Sequence, residues 1–110
     1  MLETILVGPR LEIPQQDLVE FCERWKVAEL ALFGSALRDD FRPDSDIDLL
    51  VTFLPEAEWS LLDHGRMEQE LASLLGRDVD LVSRWGIEHS RNWIRRKAIL
   101  ESAYPIYGSR

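Results

Sequence analysis

The chain has 110 residues, enough for one domain with one modest core, and its 45% apolar and 30% charged content is that of a globular protein. Its net charge of −7 argues against long nucleic acid as a direct ligand, because such affinity comes largely from neutralising phosphates. No apolar run reaches the roughly 20 residues that span a bilayer, Met1-Leu2-Glu3-Thr4-Ile5-Leu6 lacks the basic start and apolar stretch of a secretory leader, and the lone Cys22 fits the core of a protein in a reducing cytoplasm.

Residues 1–13 are expected to be irregular, broken by Gly8-Pro9 and Pro14. A helix follows from about Pro14 to Lys26, with Leu18, Phe21, Cys22 and Trp25 at helical spacing. Val27 to Phe33 reads as a strand ended by Gly34, and Ser35 is placed to cap a short helix to about Asp39. After the Arg42-Pro43-Asp44 loop, a second strand runs from Asp46 to Phe53 and Pro55 closes it. Leu61 to Leu75 is a helix with Met67, Leu71, Leu74 and Leu75 on one stripe, stopped by Gly76. Val79 to Ser83 is a third strand and Glu88 to Glu101 a last helix. Beyond Pro105, Ile106-Tyr107 adds an edge strand or docks as a tail. The order predicts a single α/β (α+β) domain over residues 1–110, a small mixed sheet flanked by helices.

The chemistry concentrates between residues 32 and 51. Leu32-Phe33-Gly34-Ser35-Ala36-Leu37-Arg38 is a strand, a glycine turn and a helix start. Ten residues after Ser35, Asp46-Ile47-Asp48 opens an apolar run. Asp46 and Asp48 are two apart, so on a strand both carboxylates face the same side. Side by side they repel, and a divalent cation between them relieves the repulsion. Backbone amides at a helix start attract anions, and glycine lets a phosphate come close. Arg38 is placed either to reach a phosphate or to pair with Asp39, Asp40 or Asp44. A third acid, Asp80, lies in Asp78-Val79-Asp80-Leu81-Val82-Ser83. If that strand pairs beside the Asp46/Asp48 strand, three carboxylates converge. Asp80 is preferred to Asp78 because apolar residues flank it on both sides. All-carboxylate ligands with no Cys or His set nearby favour Mg²⁺ over Zn²⁺. The Asp44-x-Asp46-x-Asp48 spacing is not a calcium loop, since Leu49 and Pro55 occupy the positions of its glycine and glutamate.

Gly34-Ser35, ten residues and Asp46-Ile47-Asp48, with a later strand Asp80, resembles the polymerase-β-like nucleotidyltransferase superfamily. The fuller Gly34-Ser35-Ala36-Leu37-Arg38 and Ser45-Asp46-Ile47-Asp48-Leu49-Leu50-Val51 are similar to the minimal nucleotidyltransferases (MNT, MntA-type antitoxins) that accompany HEPN-domain toxins. The resemblance extends from about Val27 to Ile106-Tyr107-Gly108, with one departure at Asp39, where many relatives carry glycine. It implies two Mg²⁺ ions held by Asp46, Asp48 and Asp80, ATP as substrate with its triphosphate over Gly34, Ser35 and Arg38, and catalysis by the three acids. It further implies AMP transfer to a tyrosine of a HEPN RNase toxin, which would make this chain an antitoxin. Two other readings stay open: a module that inhibits its partner by occupying it, and transfer to a small molecule. Homo-oligomerisation is open as well.

Outside the motif, Arg84 to Lys97 carries a net charge of +4 and leaves −11 on the remainder. Such a segment binds triphosphate, RNA or an acidic partner, or is a solvated face. His64 and His89 have no partners at ligand spacing and are expected to be structural or exposed. Trp25 and Trp93 are expected in the core, and Trp59 and Trp85 beside loops.

Overall fold

The computed structural model describes residues 4–7, 11–34 and 46–108. Two short strands, β1 (Thr4–Val7) and β2 (Leu11–Pro14), pair antiparallel, with Ile5 opposite Ile13. This corrects the expectation of an irregular start. The Gly8-Pro9 pair separates two runs rich in apolar and β-branched residues, and such runs pair when each offers the other a ladder.

The remaining elements are α1 (Gln15–Arg24), β3 (Val27–Phe33), β4 (Ile47–Phe53), α2 (Leu61–Leu75), β5 (Val79–Ser83), α3 (Arg84–Glu88), α4 (Trp93–Ser102) and β6 (Tyr104–Tyr107). Four strands form a mixed sheet in the order β5-β4-β3-β6. β4 runs antiparallel to β3 and parallel to β5, and β6 lies antiparallel to β3 at the far edge. Ile106-Tyr107 is thus part of an edge strand. The expected helix from Glu88 to Glu101 begins only at Trp93, and Glu88 instead ends a separate short helix that starts at Arg84. Ser83 caps α3 by accepting from the Gly86 amide at 3.0 Å, and Asn92 caps α4 by accepting from the Arg95 amide at 3.1 Å. A capping side chain opens a new helix where it satisfies amides that the preceding helix does not use.

Strand alternation sends side chains to two cores. On one face Leu30, Leu32, Ile47, Leu49, Val51 and Leu81 pack with Ile13, Leu18, Phe21 and Cys22 and with Met67 and Leu71 of α2. On the other, Ala31, Phe33 and Leu50 pack with Ile87 of α3 and Ile99 of α4. Leu49, Leu50 and Val51 are all buried, so β4 is covered on both faces. α1 and α2 are braced through Glu70, which pairs with Arg24 at 2.5 Å and accepts the Trp25 indole N–H at 3.0 Å. Trp59 donates its N–H to the Trp25 carbonyl at 2.9 Å. Trp25 is therefore part of the core, as expected, whereas Trp93 is 60% exposed on α4 and is not. No helix of the described residues is long and apolar enough to cross a membrane.

Candidate active site

β4 brings its acids to the sheet face shared by α3 and α4. Asp48 is two residues from Leu50, which packs on that face, and Asp80 is two from Val82, which packs beside it. The parallel β4–β5 register sets Asp48 directly opposite Asp80. Adjacent strands lie about 4.8 Å apart, so two carboxylates stand on one face as immediate neighbours. Like charges so placed repel unless something positive joins them. Asp46 precedes β4 by one residue and is exposed. The amide of the next residue, Ile47, donates to the Asp78 carbonyl at 2.9 Å, which ties the entrances of β4 and β5 together. The expected juxtaposition of the two acid-bearing strands is present, and Asp80, not Asp78, is the residue in register with Asp48.

Gly34 completes the arrangement from the other side. Phe33 is the Cα partner of Asp48, so the chain leaves β3 beside that carboxylate. Gly34 has φ of +73°, and a Cβ there would collide with Asp48 Oδ2. Glycine is thus required twice, by its backbone and by the close approach of the carboxylate. Ser35 and Arg38, the expected phosphate-binding partners, lie outside the described residues.

The donor set fits a hard divalent cation by type, since every candidate ligand is a carboxylate oxygen. Among the described residues no three His, Cys, Asp or Glu side chains are gathered into a cage that would hold a metal by itself. Magnesium does not need one: it keeps several waters and is commonly held by one or two carboxylates plus substrate phosphates. Asp48 and Asp80 supply such a pair, with the Gly34 backbone leaving room beside it.

Two α2 side chains hold β5 in place. The Leu81 amide donates to Glu68 Oε2 at 2.8 Å, and His64 Nε2 donates to the Leu81 carbonyl at 2.6 Å. β5 is an edge strand, and these bonds satisfy backbone groups that the sheet leaves unpaired. His64 is therefore structural, as expected, but its partner is the strand next to Asp80. Sequence spacing alone does not show this contact, because it spans 17 residues. His89 stacks on the exposed ring of Trp85 at 4.1 Å. A groove bounded by Phe53, Trp59, Leu61, Met67 and Trp85 opens at the opposite ends of β4 and β5 and does not include the acids.

The nucleotidyltransferase domain family matches residues 18–104 of this chain. The protein adenylyltransferase MntA of Thermococcus cleftensis is 45% identical over 65 residues, which are 59% of this chain and 64% of that protein. This chain thus spans less than two thirds of that relative's length. A solved structure assigned as a minimal nucleotidyltransferase superposes with a TM-score of 0.64 at 36% identity, over 84% of this chain and 88% of the other. A Shewanella oneidensis complex, tri-AMPylated HEPN toxin with MNT antitoxin, matches with a TM-score of 0.57 at 21% identity, over 86% of this chain and 70% of the other. At that identity the likeness is one of fold.

Proposed function

Since the chain belongs to the nucleotidyltransferase domain family, we propose that it is a Mg²⁺-dependent protein adenylyltransferase. It moves AMP from ATP to a tyrosine hydroxyl of a HEPN-domain RNase and so acts as an antitoxin. The observation that carries this reading is the register of Asp48 opposite Asp80, with Gly34 against the Asp48 carboxylate. The adenylyltransferase name of the Thermococcus relative and the AMPylated toxin in the Shewanella complex support the choice of donor and acceptor.

In this reading Gly34 and Ser35 hold the triphosphate close to the backbone, and Arg38 neutralises its outer phosphates. Asp46, Asp48 and Asp80 would hold two Mg²⁺ ions, which when bound neutralise charge on the triphosphate and on the attacking oxygen. Asp80 accepts the proton of the tyrosine hydroxyl. The hydroxyl oxygen bonds to the α-phosphorus, the bond from the α-phosphorus to the bridging oxygen breaks, and pyrophosphate leaves with that electron pair. The buried, lone Cys22 supports a cytoplasmic setting.

The test incubates the purified chain with Mg²⁺ and ATP labelled at the α-phosphate in an extract of its source cells, with Asp48→Asn alongside. Label on one discrete protein, absent with Asp48→Asn, is the expected result. No label on any protein, with a partner still co-purifying with both versions, contradicts transfer and leaves inhibition by contact. Label on a small molecule alone contradicts the protein acceptor.

A further inference from the structure

The acids leave one question open: how an acidic domain draws its acceptor to the correct face of the sheet. α4 offers the means. It packs through Ile99 beside Phe33, the strand partner of Asp48, and so lies on the same face as the acids. Its outer surface is mixed. Trp93 and Ile94 are 60% and 64% exposed, and Arg95 and Lys97 are exposed among them. Arg91 is exposed just before the helix. Among the described residues none of Arg91, Arg95 and Lys97 makes an ion pair, although the chain holds 20 acidic residues. Arg96 is the exception, since it donates to the Ser90 carbonyl at 2.8 Å and closes the turn before the helix.

An exposed tryptophan and isoleucine between exposed cations form an anchor with a charged rim. We propose that the outer face of α4 is the docking surface for the protein acceptor, and that it takes an acidic segment carrying apolar or aromatic side chains near the acceptor hydroxyl. This rests on the reading of the acceptor as a protein. Charge complementarity selects the occupant: the segment from Arg84 to Lys97 is +4 on a chain of −7, and since Arg84 pairs with Glu29 and Glu88, the exposed positive charge is that of Arg91, Arg95 and Lys97. An acidic segment is repelled from the bulk of the domain and attracted here, which orients it beside the catalytic acids. A nucleic acid would meet the remaining −11 wherever its backbone ran past the helix. It would also leave Ile94 without a role.

The surface is tested by fluorescence anisotropy of the full chain with a labelled, glutamate-rich Glu–Tyr copolymer, and separately with an oligouridine and with ATP. The expected result is copolymer binding that weakens with salt and falls roughly tenfold or more in Arg95→Glu/Lys97→Glu. Trp93→Ala also weakens it, and ATP affinity is unchanged in both variants. Arg95→Gln/Lys97→Gln, which removes charge without reversing it, gives an intermediate loss. No copolymer binding, binding indifferent to these substitutions, or tighter binding of oligouridine overturns the proposal. Asp48→Asn separates this idea from the transfer reaction, because it should bind copolymer as the wild type does. Binding intact without AMP transfer by the wild type to any acceptor would remove the enzymatic reading and leave the surface. Transfer intact with binding indifferent to Arg95 and Lys97 would remove the surface and leave the enzyme.

Discussion

Gly34 and Gly76 share a backbone conformation, φ +73° and +72°, but not surroundings. At Gly76, which ends α2, an added Cβ meets open space, so Gly76→Ala should cost only the left-handed backbone penalty of about 1–2 kcal/mol. At Gly34 the Cβ also pushes on Asp48 Oδ2. Gly34→Ala should therefore lower the melting temperature at least as much as Gly76→Ala and abolish AMP transfer, while Gly76→Ala keeps it. Equal transfer by the two variants would separate Gly34 from the site. Cys22 gives a second prediction at this scale. Burial pushes its thiol up to about 12, and Glu23 adds to the effect. Because the folded value is raised, the neutral thiol's contribution to stability is complete below the unfolded value near 9. It is lost as the pH climbs from there toward 12, where the unfolded chain ionises first. At pH 8 the folded protein should resist a thiol reagent that labels it rapidly in denaturant.

At the scale of elements, β5 matters because it carries Asp80 at the edge of the sheet. Glu68→Ala leaves the Leu81 amide without its partner and should destabilise the fold by about 1–3 kcal/mol. His64→Ala should act in the same direction on the Leu81 carbonyl. Both variants should lose transfer more than a substitution of equal thermal cost far from β5, since they loosen the strand beside Asp48. Thermal melts and transfer rates measured on the same preparations check this. Most elements were legible from local pattern: β3, α2 and β5 lie where periodicity and their stop signals put them, and Gly76 caps α2 as read. The departures have local causes. The helix expected from Glu88 starts only at Trp93 because Asn92 caps it there, and Ser83, read only as a strand end, also caps the short helix Arg84–Glu88. Trp93 was expected inside from helical spacing alone. The inward-facing position of α4 is taken by Ile99, and the first turn stands clear of the core.

At the scale of the molecule, the site exists only because β4 and β5 run parallel in one register, a long-range fact that no local window contains. Asp46 and Asp48 were legible from their spacing. The choice of Asp80 over Asp78 follows from its apolar flanks, whereas the pairing of the two strands enters only as the condition under which the carboxylates converge. Ser35 and Arg38 lie outside the described residues, so their roles rest on the sequence pattern and on the family resemblance it carries. Two neighbouring carboxylates also make a stability prediction. Added Mg²⁺ should raise the melting temperature of the wild type and leave that of Asp48→Asn nearly unchanged. A wild type indifferent to Mg²⁺ would contradict the metal role of the pair.

The most direct test of the central claim is intact-mass spectrometry of a purified HEPN-domain partner after incubation with ATP, Mg²⁺ and this chain as wild type, Asp48→Asn or Asp80→Asn. The account predicts that the partner gains whole AMP increments on tyrosine with the wild type and none with either variant, both remaining folded by circular dichroism. Increments of equal size and rate with all three proteins would show that Asp48 and Asp80 do not form the site of transfer.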